Sequence, residues 1–309
     1  MKKYYLIFYL VILSSLAFAQ SGSAVYLTGF VNDISMNSVF SPDGNKIAYT
    51  KASYKGLWIF DRVTNSTREI TDEDAAGFAF KWSSDSKSIL TRVAKYVNLR
   101  RYNAVKIFDN ESGEAKTLTD YRTTMPYLPD WVNDDAEVFL PTKDGVEVYS
   151  TGKLTKTNML ATELSSYVKN DKIVVRNFST GSEQTISPIE NVNIINLTTS
   201  PDKNKLAYEV VGGNLYSMNI NGTNLTDLGK GNRPRWSFDG RKIIYMITKD
   251  DGHTFTASDI YSINTDGTEK KNLTNTDDLI ELNPCFAPDG KSFVFDVYND
   301  GSIYLMNIE

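Results

Sequence analysis

The segment WSFDGRKIIY, residues Trp236 to Tyr245, is one of six similar segments that decide the fold of this 309-residue chain. The other five segments begin at Phe40, Trp82, Trp131, Thr199 and Phe286 and read FSPDGNKIAY, WSSDSKSILT, WVNDDAEVFL, TSPDKNKLAY and FAPDGKSFVF. Each has an aspartate three residues after its first position and an apolar residue four positions further on. Because Pro fixes φ at the second position of a tight turn and Gly accepts a positive φ, these segments predict β-hairpins.

A second hairpin lies between successive segments, as in IYSINTDGTEKKNLT from Ile260 and IFDNESGEAKTLT from Ile107. One repeat therefore contains four antiparallel strands, with A and B around the Pro-Asp turn and C and D around an Asn- or Asp-rich turn. Repeats of this kind predict an all-β fold, a β-propeller built of four-stranded antiparallel blades. The repeat aspartates, which we expect to stabilise these turns, are Asp43, Asp85, Asp134, Asp202, Asp239 and Asp289.

The two ends of the chain predict how the ring closes. The last repeat ends with a C strand at Ile303–Met306, and Val25–Thr28 reads as a D strand that no other strand precedes. We therefore expect the N-terminal strand to complete the last blade. The repeat aspartates are separated by 42, 49, 68, 37 and 50 residues. We predict six blades, with IVVRNFSTGSEQTIS from Ile173 as strands C and D of the third blade and residues 143–171 as an inserted hairpin. The alternative is a seventh, degenerate blade in that stretch.

The repeats resemble those of TolB-type β-propellers, which carry W-S-P-D-G-x-x-I-x-Y followed by I-Y-x-M-D-x-D-G-x-x-x-x-L-T. The string Leu215–Asn219 and the tripeptide Pro234–Trp236 match this pattern, and the likeness extends from Val25 to Glu309. The third repeat lacks the Ser-Pro pair, and Thr199 replaces the aromatic residue of the fourth. TolB has a separate α/β domain before its propeller, for which we expect no room here. The resemblance therefore implies the propeller but not the role of TolB itself.

The N-terminus predicts export from the cytoplasm. Two lysines precede an apolar run, and Ala17-Phe18-Ala19 has the small-x-small pattern of a signal peptidase site. We predict a signal peptide over residues 1–19, cleavage after Ala19, and a single propeller domain over residues 20–309. The protein is then periplasmic or secreted and does not insert into the membrane after cleavage. The formal net charge of −5 offers no basic field for nucleic acid.

The sequence contains no pattern that indicates catalysis, a metal or a cofactor. A single histidine and a single cysteine cannot supply the ligands of a familiar zinc site. The Gly-x-Ser-x-Gly elbow and the glycine-rich nucleotide loops are missing. The acidic pairs Asp250-Asp251 and Asp277-Asp278 lack the spacing of a calcium loop. We expect Cys285 and the tryptophans Trp82, Trp131 and Trp236 to be core residues.

The irregular sequence falls in the B–C and D–A loops, which share one face of a propeller. The B–C loops are Ala94–Asn103, Lys143–Asp171 and Lys249–Ser258, and the D–A loops are Tyr121–Tyr127 and Asn275–Asn283. Because binding residues concentrate on variable loops over a rigid scaffold, this face is the predicted binding site. Tyr and Arg, the residues most enriched at interface hot spots, group in two of these loops. The candidate partner-binding residues are Tyr96, Arg100, Arg101, Tyr102, Tyr121, Arg122, Tyr127, Arg233, Arg235 and His253.

These observations predict a non-catalytic, monomeric binding or scaffold propeller of the cell envelope or exterior. Its expected partner is a protein or peptide bound on the B–C/D–A face. The alternative is a carbohydrate-active enzyme resembling a polysaccharide lyase, or a sugar-binding propeller, because such propellers also occur in those proteins. A third hypothesis is an adhesin or matrix component of a larger surface assembly.

Overall fold

The computed structural model describes residues 24–28, 34–153 and 163–308. The predicted signal peptide lies outside these ranges. Over the described residues the chain forms 26 β-strands in seven antiparallel sheets, together with one short 3₁₀ turn at Ala52–Tyr54.

The sheets follow one another along the chain as blades 1 to 7. Blade 1 consists of β2 (Ser35–Phe40), β3 (Lys46–Lys51), β4 (Leu57–Asp61) and β5 (Ser66–Thr71). Blade 2 consists of β6 (Lys81–Trp82), β7 (Ser88–Val97), β8 (Arg100–Asp109) and β9 (Ala115–Thr117). Blade 3 consists of β10 (Asp130–Val132), β11 (Glu137–Pro141) and β12 (Val146–Ser150), and blade 4 of β13 (Leu164–Lys169), β14 (Lys172–Asn177) and β15 (Glu183–Ile186).

The second half of the ring is more regular. Blade 5 consists of β16 (Ile194–Thr199), β17 (Lys205–Val210), β18 (Leu215–Asn219) and β19 (Thr226–Gly229). Blade 6 consists of β20 (Asn232–Trp236), β21 (Lys242–Asp250), β22 (Phe255–Asn264) and β23 (Lys271–Asn272). Blade 7 consists of β24 (Glu281–Phe286), β25 (Ser292–Val297), β26 (Ser302–Asn307) and β1 (Val25–Thr28).

The preferred count of six blades is wrong, because the described part of the chain forms seven. Residues 143–171 are not an inserted hairpin: β12 lies in this range and pairs with β11 as the third strand of blade 3, with Leu140 opposite Glu147. The strands β14 and β15, which were expected in the third blade, pair with β13 in a sheet of their own. This blade lacks the Pro-Asp turn by which the repeats were counted, so the count missed it.

A hydrophobic cluster fills each of the seven interfaces between neighbouring blades. Blade 4 packs through Tyr167 and Val174 against blade 3, and through Ile173 and Val175 against blade 5. Both faces of its strands are therefore covered, which is why the run Ile173–Val175 is apolar without alternation.

The three tryptophans occupy the same position in blades 2, 3 and 6 and are buried, as predicted. Each indole N–H donates a hydrogen bond to a backbone carbonyl of the preceding blade's innermost strand: Trp82 to Val39, Trp131 to Lys81 and Trp236 to Thr198, at 3.2–3.3 Å. Cys285 is also buried, in the interface between blades 7 and 1.

The repeat aspartates of blades 1, 2, 5, 6 and 7 stabilise the A–B turns, as expected. In blade 1 the Asp43 carboxylate accepts hydrogen bonds from the Ser41 hydroxyl (2.6 Å) and the Asn45 backbone N–H (3.0 Å). Partial burial opposes ionisation of Asp43, but these hydrogen bonds outweigh it and lower the pKa of the carboxyl group. In blade 3 the neighbouring Asp135 has a different role and links the turn to blade 2. Its carboxylate accepts hydrogen bonds from the backbone N–H and the hydroxyl of Ser84, both at 2.7 Å.

The predicted closure of the ring is confirmed. Strand β1 pairs antiparallel with β26, with Val25 opposite Leu305 and Tyr26 opposite Tyr304. The two tyrosine rings contact each other edge to face, with centroids 5.7 Å apart. The closing strand protects the outer edge of blade 7, which would otherwise expose unpaired backbone groups.

Candidate functional site

The segment Ala94–Asn103, expected to be an irregular loop, is a regular β-hairpin. Pairing between β7 and β8 continues without interruption from Ser88↔Asp109 to Val97↔Arg100. Asn98 and Leu99 form the two-residue turn, and both have positive φ (50° and 61°), as a type I′ turn requires. Strands this long carry the turn beyond the body of the blade on the B–C/D–A face, where the Leu99 side chain is fully exposed.

Two arginines lie at the base of this turn. The Arg100 guanidinium lies 6.0 Å from the centre of the Tyr102 ring and 3.4 Å from the Thr123 hydroxyl. Arg101 donates to the side-chain oxygen of Asn103 at 3.0 Å. Over the part of the chain that the structure describes, neither arginine forms an ion pair with a carboxylate. Both charges are therefore open to an anionic group from outside.

Tyr96 and Tyr121 are placed differently. Tyr96 lies on the projecting hairpin, and 58% of its surface is exposed. Tyr121 packs against the hydrophobic cluster between blades 1 and 2 and donates to Glu73 at 3.2 Å. Lys106 also bonds to Glu73, with 2.8 Å to each carboxylate oxygen, and Lys95 lies 3.9 Å above the Tyr121 ring. Tyr121 therefore holds the base of the hairpin, whereas Tyr96 is free to contact a partner.

Arg122 joins the D–A loop after blade 2 to blade 3. Its guanidinium donates to both carboxylate oxygens of Glu147, at 2.9 and 2.7 Å, and to the Tyr149 hydroxyl at 2.8 Å. The hydrogen bond to Glu147 raises the pKa of Arg122, and a hydrogen bond from Tyr149 together with one from Arg122 lowers the pKa of Glu147. The backbone of Arg122 also pairs with that of Asn103 on the hairpin. This residue therefore fixes the two loops relative to each other.

A cavity of about 410 Å³ opens beside this pair. One wall is the loop after blade 2, with Thr124, Met125 and Pro126, and the other is the short β11–β12 connection, residues 141–146. Arg122 and Glu147 form its charged side. The projecting hairpin and this cavity, which we call the hairpin site, are neighbours on the B–C/D–A face.

Tyr127 and His253 do not belong to the hairpin site. The Tyr127 ring packs edge to face against Tyr167 of blade 4, with centroids 6.1 Å apart. Burial raises the pKa of Tyr167 to about 12. His253 lies on blade 6 in the exposed turn between β21 and β22, where its backbone N–H donates to Asp251 at 2.9 Å. The segment Lys249–Ser258, like Ala94–Asn103, is mostly hairpin rather than irregular loop.

Arg233 and Arg235 point into the centre of the ring. Arg235 of blade 6 donates to the Asn37 side chain (2.7 Å) and to the Ser38 carbonyl (3.0 Å) of blade 1, although blade 7 lies between them in sequence around the ring. Such a contact is geometrically possible because the innermost strands converge on the axis. Arg233 donates to Asn283 of blade 7. The two arginines therefore connect the innermost strands of different blades around the central axis. Neither is available as a free charge for a partner.

Two buried carboxylates, Asp296 and Glu209, lie next to these arginines. Neither is among the candidate residues that the sequence predicts. Asp296 accepts hydrogen bonds from the Asn37 backbone N–H and the Asn283 side chain, both at 2.9 Å. Burial raises the pKa of Asp296 to about 7, although these hydrogen bonds and the charges of Arg235 and Arg233 act in the opposite direction.

Glu209 forms the same contacts in blade 5. Its carboxylate accepts from the Asn196 side chain (2.8 Å) in its own blade and from the Arg233 backbone N–H (3.0 Å) in the next blade. Arg233 and Asn196 are each the positive-φ residue of a β-bulge in the innermost strand. The signal that could have revealed both carboxylates is an acid at the fifth position of an otherwise apolar B strand, in KLAYEV and SFVFDV.

Within residues 24–28, 34–153 and 163–308, no group of three or more His, Cys, Asp or Glu side chains is placed to hold a metal ion. The same residues include no helix with the length and apolar character needed to cross a membrane.

The chain has the fold of a TolB-like β-propeller. It superimposes on TolB from Acinetobacter baumannii with a TM-score of 0.51 at 18% identity, over 79% of this chain and 55% of that one. A putative TolB from Agrobacterium tumefaciens gives a TM-score of 0.54 at 12% identity, over 90% and 91% of the two chains. An oligogalacturonate lyase in complex with manganese gives 0.50 at 12% identity, over 94% and 98%. This chain thus spans about half the length of the first TolB structure.

No protein-family model and no curated protein sequence matches the chain. The similarity to the solved structures is therefore a similarity of fold.

Proposed function

We propose that this protein is a non-catalytic binding propeller that recognises a protein or peptide segment at the hairpin site. The observation that carries this proposal is the projecting β7–β8 hairpin. It presents exposed Tyr96 and Leu99 together with Arg100 and Arg101, which have no carboxylate partner among the described residues. Exposed aromatic and arginine side chains on a rigid support are typical of binding hot spots.

The charges at this site favour an acidic partner segment. The whole chain has a formal net charge of −5, yet Lys95, Arg100 and Arg101 lie close together on one hairpin. An acidic side chain of the partner placed near the Arg100 and Arg101 guanidinium groups gains a charge-assisted hydrogen bond. The adjacent cavity is large enough for one or two apolar side chains of the same segment.

We propose further that the protein acts in the periplasm or outside the cell, after removal of residues 1–19. The basic and apolar N-terminal sequence supports this location. Intact-mass spectrometry of the exported protein tests it, with Gln20, free or cyclised to pyroglutamate, as the expected first residue.

Site-specific photocrosslinking tests the proposed binding face. A photoreactive residue replaces Leu99 on the hairpin or, as the control, Lys87 in the exposed A–B turn of blade 2 on the opposite face. We expect a discrete crosslinked partner in the envelope fraction only from position 99. The double variant Arg100→Ala/Arg101→Ala should reduce its yield at least tenfold, since each charged hydrogen bond contributes about 1.5–3 kcal/mol. Equal crosslinking from both positions would contradict the proposal.

The lyase hypothesis rests on the oligogalacturonate lyase structure, whose manganese belongs to that protein. We therefore also propose an assay of the purified protein with oligogalacturonate and Mn²⁺, followed by absorbance of the unsaturated product. Turnover of oligogalacturonate would show that the protein is an enzyme and would contradict the proposed non-catalytic function.

A further inference from the structure

A second cavity, of about 550 Å³, lies between blades 6 and 7 on the opposite face of the ring. It is bordered by the A–B turns of both blades, the C–D turn of blade 6 and the end of β26. Phe238, Lys242, Ser262 and Ile308 are among the side chains that line it. The cavity shares no residue with the hairpin site, so a ligand bound there would be independent of the proposed function.

At other interfaces the C–D turn of the following blade fills the equivalent position. The turn of blade 2 lies on blade 1, where a Cβ added to Gly113 would lie 3.2 Å from the Ile70 carbonyl oxygen. The turn of blade 6 lies on blade 5 in the same way, where a Cβ added to Gly267 would lie 3.3 Å from the Thr226 methyl group. These turns therefore pack in close van der Waals contact with the preceding blade.

Recurring hydrogen bonds also hold these C–D turns against the preceding blade. The first residue of strand B donates to the turn: Lys205 to the Thr265 hydroxyl at 2.8 Å, and Lys46 to the Asn110 side chain at 2.8 Å and to the Glu111 carboxylate. In blade 5, the Ser217 hydroxyl donates to the backbone carbonyl of Thr265 at 2.6 Å. A seat for a turn thus consists of a lysine, and in blade 5 also a serine, that bind acceptors on the turn.

Within the described residues, blade 7 places no such turn on blade 6. Its strands C and D are β26 and β1, which are not consecutive in the chain, so no turn joins them. Lys242 and Ser262 stand at the positions of Lys205 and Ser217, as the aligned strings LYSMN and IYSIN show. Among the described residues Lys242 bonds to Glu269 of its own blade alone, at 3.5 Å, and the Ser262 hydroxyl has no hydrogen-bond partner.

Two further features keep this seat open. Ile308 follows β26 at the place where Thr265 follows β22, and its side chain offers no acceptor to Lys242. A Cβ added to Gly290 would meet no atom of the described chain within 4 Å, whereas one added to Gly240 in blade 6 would lie 3.7 Å from Pro201 of blade 5. The apolar walls of the cavity and its two donors are therefore arranged as in the filled seats, but without the turn.

We propose that this cavity binds a β-turn of a partner protein. The turn presents a carboxylate, amide or hydroxyl side chain to Lys242 and a backbone carbonyl to Ser262. The turns that fill the other seats have the sequences Asn110-Glu-Ser-Gly113 and Asn264-Thr-Asp-Gly267, so the partner segment is an Asx-rich turn that ends in glycine.

A backbone-cyclised peptide containing Asn-Thr-Asp-Gly-Thr-Glu is the probe, because cyclisation removes the entropic cost of ordering a free turn. Its affinity is measured by isothermal titration calorimetry and its location by NMR shifts of Ser262 and Gly290. We expect Lys242→Met to weaken binding about tenfold and Ser262→Ala about threefold, since each removes one hydrogen bond. Lys87→Ala, an exposed lysine in the A–B turn of blade 2, serves as the matched control and should leave the affinity unchanged.

Three results would overturn the proposal: no binding to the wild type, equal binding to Lys242→Met, or binding that appears only after removal of Glu309, which would assign the seat to the chain's own end. The hairpin variant Arg100→Ala/Arg101→Ala should bind the probe normally. The two proposals therefore fail separately.

Discussion

The carboxyl group of Glu281 is completely buried at the start of blade 7. One oxygen accepts a hydrogen bond from the Thr276 hydroxyl at 2.6 Å, and the other has no partner among the described residues. Burial raises the pKa of Glu281 from 4.5 to about 7, with a further contribution from the charge of Asp259 and against the hydrogen bond from Thr276.

The sign of the resulting pH dependence follows from proton linkage. The unfolded chain loses this proton near pH 4.5, and the folded protein holds it until about pH 7. Since the folded state binds more protons over this range, its stability falls as the pH rises. The loss between pH 5 and pH 8.5 amounts to about 2–3 kcal/mol from this one group.

We expect Glu281→Gln to remove that dependence. Urea denaturation of wild type and variant at pH 5 and pH 8.5 gives two differences in the free energy of unfolding. The amide has two N–H donors where a protonated carboxyl has one O–H, and this extra donor costs the variant about 1 kcal/mol relative to the protonated wild type. The free energy of unfolding of the variant relative to wild type should therefore be about 2–3 kcal/mol higher at pH 8.5 than at pH 5.

Glu114→Gln is the control, because it removes an exposed carboxylate. If Glu281→Gln destabilises the protein equally at pH 5 and pH 8.5, the carboxyl is ionised and paired in the folded state, and the reasoning is wrong.

Three further predictions concern the ring. Asp296→Ala leaves the Asn37 N–H and the Asn283 amide without their acceptor, and should lower the free energy of unfolding by about 2–4 kcal/mol in urea titrations, against no more than about 0.5 kcal/mol for exposed Asp120→Ala. Trp236→Phe removes the hydrogen bond to Thr198 and part of the interface core, and should lower the melting midpoint through a loss of about 1–2 kcal/mol, which calorimetry measures; an unchanged midpoint would show that the indole contact adds nothing. Deletion of residues 20–28 frees the edge of β26, and we expect a concentration-dependent dimer by light scattering, whereas a stable monomer would mean that β1 is dispensable.

The repeat pattern was sufficient to predict the propeller, its antiparallel blades and its closure. The A–B turns of blades 1, 5, 6 and 7 contain Pro or Gly at defined φ values, and each B strand is apolar on both faces because neighbouring blades cover both. These are local requirements, so they appear in the sequence at regular spacing. The buried positions of Trp82, Trp131 and Trp236 follow from the same regularity.

The number of blades was not predictable in this way. Blade 4 has no Pro-Asp turn and has Val168, not an aromatic residue, three positions before the turn residue Asp171. Its strands resemble the outer half of any blade. Only the pairing of β13 with β14, and the packing of Tyr167 and Ile173 against two different neighbours, shows that these strands form a separate sheet.

The candidate site shows the same division. The sequence by itself determined which loops differ from the repeat, and thereby the face on which Arg100 and Arg101 lie. Only the tertiary structure decided which of the candidate residues are available. Arg122 and Tyr121 are held by Glu147 and Glu73, and Arg235 reaches Asn37 across the axis. Such partners come from other blades, and the ring brings them together although they are 25 to 198 residues apart in the chain.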